Sequence, residues 1–101
     1  MKRKHETIEG HNISVWDEGP NGPMDRYTVV YLDNTHPNGK VDYLAMNAYP
    51  FHPQGIGLHG EMYLHHVAYK GRGGAFTKRI RFEDLPDDCK RAVMNDLRGE
   101  V

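Results

Sequence analysis

RYTVVYLD, Arg26 to Asp33, is the stretch whose reading decides the fold. Successive side chains of a strand point to opposite faces, so Tyr27, Val29 and Tyr31 share one face and Thr28, Val30 and Leu32 the other. Both faces are largely apolar and β-prone, which predicts a strand placed centrally in a sheet. Downstream, DNTHPNGK carries an Asn38-Gly39 pair, a turn signal. VDYLAMNA then returns, so Val41 to Ala48 is expected to complete an antiparallel hairpin with Tyr27 to Asp33.

Working outward, residues 1–6 form a charged, flexible basic tail, and residues 7–101 a single domain. TIEGHNISVW, Thr7 to Trp16, makes one strand or two short ones around Gly10. DEGPNGPMD is an irregular connection. EMYLHHVAYK reads as a further strand, GRGG as a break, and FTKRIRF as a final strand. Ile80 and Phe82 of that strand should face the core, leaving Arg79 and Arg81 outward.

The C-terminal segment is the best helix. Pro86 suits the first turn, Asp87 and Asp88 complement the positive end of the dipole, and Gly99 supplies the stop. Cys89, Val93 and Leu97 repeat every four residues with Ala92 beside them, giving one apolar stripe. The expected fold is α+β, a single small domain. Its four or five mainly antiparallel strands carry one C-terminal helix packed on them.

Composition narrows the function. At 101 residues there is room for one small domain and little for a deeply enclosed active site. A net charge of -1 argues against a wholesale nucleic-acid or membrane-surface binder. The single cysteine leaves no internal disulfide and no Cys-rich zinc framework. The basic start lacks an apolar region behind it, so it does not read as a signal peptide, and no apolar run has the length to span a bilayer. A soluble, cytoplasmic protein is the expectation.

Gly55, Gly57 and Gly60 stand at G-x-G-x-x-G spacing within AYPFHPQGIGLHGE, Ala48 to Glu61. A dinucleotide site would need a buried strand before them and a helix after them. Here Tyr49-Pro50-Phe51-His52-Pro53 precedes and a β-prone segment follows. The glycines are therefore expected to permit unusual backbone angles in an ordered loop. His52, His59, Glu61 and His65 form a minority metal set, in which His59 and Glu61 share a face if the strand already begins there. No spacing among them matches a metalloenzyme motif. Cys89 lies on the apolar helix face and Ser14 has no nucleophile elbow, so no catalytic residue is assigned and no cofactor is expected.

Between Lys70 and Arg81 there are five cationic residues and no acidic one. Arg72, Arg79 and Arg81 make a phosphate-bearing ligand, nucleotide-like or nucleic acid, one alternative. The other alternative is an ordinary charged edge strand. The aromatic loop offers Tyr49, Phe51, His52, Gln54 and His59 as partner-binding residues, with proline stiffening to lower the entropy lost on binding.

RYTVVYLD, PFHPQGIGLHGE and TKRIRFEDLPDDCKRAV together resemble a set of small phage and mobile-element proteins without assigned activity. The resemblance covers residues 25–97. It implies a small accessory protein of a bacterial cytoplasm that binds a host factor or sequesters a small signal. The expectation is thus a non-enzymatic binding module acting on a host protein or on itself, a homodimer included, through the aromatic loop together with the basic strand of Arg72, Arg79 and Arg81. A nucleotide-like or nucleic-acid binder and a metal-dependent enzyme using the loop histidines are the alternatives.

Overall fold

The computed structural model describes residues 6–17, 26–63 and 78–99. The tail before Glu6, the connection at 18–25, His65, His66, Lys70, Arg72 and the GRGG break lie outside the described residues. So does the part of the expected EMYLHHVAYK strand beyond Tyr63.

The sheet is antiparallel throughout. Its strands are β1 (Glu6–Ile8), β2 (His11–Asp17), β3 (Tyr27–Thr35), β4 (Lys40–Met46), β5 (Gly57–Tyr63) and β6 (Lys78–Ile80). They lie in the order β1-β2-β3-β4-β5, and β6 also pairs with β2. β1 takes the Ile13 end of β2, and β6 takes the Val15–Asp17 end, so two short strands share one side. That sharing brings the strands among the described residues to six where four or five are expected from the sequence.

RYTVVYLD is central as expected, with Tyr27 to Tyr31 all buried between β2 and β4. Of the two readings of TIEGHNISVW, two short strands is the one realised. Glu9 and Gly10 both have positive φ, the signature of a tight primed turn whose twist suits a hairpin. Glu6 is already a strand residue, and its Oε1 accepts the Phe82 N–H at 2.6 Å. The β3–β4 hairpin turns through Asn38-Gly39, with Gly39 at positive φ.

A 3-10 turn (Phe82–Asp84) leads into α1 (Asp87–Arg98), which Gly99 ends in the left-handed conformation. Pro86 occupies the N-cap position, just outside the first turn, and makes no side-chain cap. Cys89 and Val93, with Leu85, pack on Ile13, Val15, Tyr27, Val29, Tyr31, Leu44 and Met46, and Ile80 and Phe82 close against them. The opposite face buries Trp16, Val30 and Val41, against which Leu32, Tyr43 and Met62 pack. Alternation along β2, β3 and β4 thus feeds two cores. None of the described helices is long and apolar enough to cross a membrane.

Candidate functional site: an acidic cleft at the end of the helix

α1 covers only part of its sheet face. Beyond its last turn a cleft of about 440 Å³ opens, walled by four strands and the helix end. Its polar lining comprises His11 and Asn12 of β2, Asp33 and Asn34 of β3, Asp42 of β4, His59 and Glu61 of β5, and Asp96 of α1. The β3–β4 ladder jumps from Tyr31–Asp42 to Thr35–Val41, so Leu32, Asp33 and Asn34 have no partner on β4. This irregularity frees Asp33, whose Oδ2 accepts the Asn12 N–H at 2.8 Å. Bulges commonly re-aim side chains beside functional surfaces in this way.

Histidines and carboxylates meet in pairs around the cleft. His11 Nδ1 is 3.8 Å from Asp33 Oδ2. His36 Nε2, from the β3–β4 turn, is 2.6 Å from Asp42 Oδ1 and 3.6 Å from Glu61 Oε1. His59 Nε2 is 2.8 Å from Asp96 Oδ2, which also accepts the Tyr31 hydroxyl at 2.5 Å. An ionised carboxylate only accepts, so Nε2 carries the proton in the His36 and His59 pairs. The hydrogen bond to Asp42 raises the His36 pKa against a desolvation cost, and the charges of Asp42 and Glu61 add to the rise. Burial, then the bond to Asp96, pushes the Tyr31 hydroxyl far above its usual range, so it stays a neutral donor.

Among the described residues, the lining contributes four carboxylates, Asp33, Asp42, Glu61 and Asp96, and neither lysine nor arginine. It also lies at the C-terminal, negative end of the helix dipole, where cations are favoured. Asp42 and Glu61 stand directly opposite each other across β4 and β5. An imidazole with two carboxylates is a usable donor set for a divalent ion. Donor atoms of His36, Asp42 and Glu61 all lie within 4.8 Å of one another.

The minority metal set divides. β5 starts at Gly57, so His59 and Glu61 do lie on one face. However, each engages a different partner, Asp96 and His36 respectively. His52 lines a separate recess with Tyr49, Gln54 and Gly55, and His65 lies outside the described residues. His36, Asp42, Asp33, His11 and Asp96 were not singled out by the sequence.

The loop between β4 and β5 is organised by Asn47, which its sequence also did not flag. Asn47 Oδ1 accepts the N–H groups of Tyr49 at 2.9 Å and Ile56 at 3.1 Å. Its backbone N–H bonds Ile56 O, and its carbonyl accepts the Cys89 thiol at 3.2 Å, tying the loop to the helix. The glycines work differently from the expectation. Gly55, Gly57 and Gly60 have no positive φ. A Cβ on Gly55 would sit 1.6 Å from Tyr49 O, so close backbone approach is what demands glycine there. Gly57 and Gly60 belong to β5 itself, and the Tyr43 ring lies over Gly60.

Tyr49 and Phe51 are exposed, and the Arg91 guanidinium lies 4.3 Å from the Phe51 ring centre. Arg79 of β6, with Arg81 just after that strand, is separated from the strands that hold this loop by β2 and β3. Arg79 is half-buried across the Trp16 ring, and burial lowers its pKa. Arg81 is exposed, with Glu83 3.8 Å away. Each described arginine has an acidic or aromatic neighbour, Arg26 meeting Asp17 and Arg98 meeting Glu9.

Comparison of the chain with known protein families, with curated proteins and with solved structures returns no match. The class of protein rests on its own architecture: an α+β domain with one helix laid on an antiparallel sheet and an acidic cleft where the helix stops.

Proposed function

We propose that the protein is a small binding module whose cleft takes a cationic ligand. One observation carries this reading: among the described residues, four carboxylates and neither lysine nor arginine line a cleft at the negative end of α1, where His11 and His59 are the basic side chains. Folding gains little from gathering like charges, and cross-strand acidic pairs are destabilising. Their juxtaposition is explained when a cation is held between them. A phosphate-bearing ligand finds less support, because the described arginines are engaged by acidic or aromatic neighbours.

Calorimetric titration at low and moderate salt tests the proposal. Spermidine or a divalent cation should bind with an affinity that salt weakens, while inorganic phosphate and oligonucleotides should not bind. Saturable binding of the anions with none of the cations would contradict it.

A second reading is docking of a host protein or another copy of the chain. It is favoured by the exposed Tyr49, Phe51, Leu58 and Tyr63 around β5 and the loop before it. Large exposed aromatics are natural anchors at interfaces. Replacing Tyr49 and Phe51 by Ser should then abolish capture of the partner while leaving the cation titration unchanged.

A further inference from the structure

We propose that His36, Asp42 and Glu61 form a binding site for a divalent first-row transition-metal ion, zinc foremost, where Asp42 and Glu61 line the cleft. The proposal rests on the cation-binding reading above and names its ligand. The three residues come from three segments, the β3–β4 turn, β4 and β5, and converge with donor atoms within 4.8 Å of one another. Metal–ligand bonds of about 2.0–2.2 Å place donor atoms within about 4.4 Å of each other, so small side-chain rotations, with release to solvent of the Nε2 proton that His36 shares with Asp42, close the set.

The backbone already presents these ligands. Strand pairing sets Asp42 against Glu61, and that register is held by seven consecutive residue pairs between β4 and β5. His36 is fixed by the hairpin, its N–H bonding Lys40 O at 2.8 Å and its carbonyl accepting Gly39 N–H at 2.9 Å. The imidazole turns the selection away from magnesium and calcium, which favour all-oxygen sites, and toward zinc, iron or manganese. Zinc leads among these three by the general affinity order. All three side chains remain partly exposed toward solvent. An ion held by three protein ligands therefore keeps an open position for water or a ligand atom.

The test is zinc titration of the full chain by calorimetry, with electron paramagnetic resonance of manganese as a second readout. One ion per chain is expected. His36→Ala, Asp42→Asn and Glu61→Gln should each weaken the tightest site by at least about tenfold, and His52→Ala should leave it unchanged. The Asn and Gln variants keep side-chain shape, and circular dichroism of each confirms that lost binding is not lost folding. Absence of stoichiometric uptake, or uptake that survives His36→Ala, overturns the proposal. Spermidine separates the two levels. If spermidine binds and zinc does not, the metal site falls and the cation cleft stands; if neither binds, both fall.

Discussion

One face of the sheet has two halves with opposite chemistry. Under α1, β2, β3 and β4 present Ile13, Val15, Tyr27, Val29, Leu44 and Met46 to Cys89 and Val93. Beyond the helix, the same strands and β5 present His11, Asp33, Asp42, His59 and Glu61 to the cleft. The boundary is the Tyr31–Asp96 hydrogen bond, where a buried ring ends in a hydroxyl held by the helix. The apolar half is explained by folding, since burial of such side chains is the main favourable term. The polar half is explained by folding much less, because its histidine–carboxylate pairs are half-exposed, where such pairs are worth little, and Asp42 and Glu61 oppose one another. The difference separates what the domain needs in order to fold from what it keeps for another purpose.

The covered half breaks first. Met46 is fully buried, so Met46→Ala should cost about 2–5 kcal/mol in denaturant unfolding. A loss under about 1 kcal/mol would mean that the helix does not press on this part of the sheet.

Cys89 tests the same half through pH. Burial, with Asp88 adding, pushes its thiol up to about 11 from an ordinary 9.0. The folded state therefore binds this proton more tightly than the unfolded chain does. The associated stability is complete below about pH 9 and is lost as pH rises to about 11, at most about 1.4 kcal/mol per pH unit. Cys89→Ala should remove that component of the slope, and identical slopes in both proteins would show that the thiol is not packed as described.

At the boundary the cost should be smaller. Asp96→Ala leaves the buried Tyr31 hydroxyl without its carboxylate and should cost about 1–3 kcal/mol. Tyr31→Phe combined with Asp96→Ala should recover part of the loss. No recovery would mean that Asp96 stabilises the fold through His59 instead.

The covered half was readable because its signals are local. Alternation placed RYTVVYLD centrally, Asn38-Gly39 set the β3–β4 hairpin, and the Cys89–Val93 stripe gave the helix. The cleft was not readable, since it needs registers that no local pattern encodes. Asp42 meets Glu61 only because β5 begins at Gly57, inside a glycine-rich stretch that reads as loop. Asp33 is turned to the cleft by the irregular end of β3, and Asp96 arrives from the helix. In the loop, glycine spacing suggested special dihedral angles, whereas Gly55 is demanded by contact with Tyr49 O, a tertiary fact. His59 and Glu61 were flagged correctly as residues sharing a face, but the partners that complete their pairs came from elsewhere in the chain.

The most direct test of the contrast is the double substitution Asp42→Asn with Glu61→Gln, measured both by denaturant unfolding and by cation titration. The expected result is a stability change of at most about 1 kcal/mol, because relief of the like-charged cross-strand pair offsets the lost half-exposed contacts to His36, together with loss of cation binding. A double variant that loses more than about 1 kcal/mol of stability while still binding cations would contradict it.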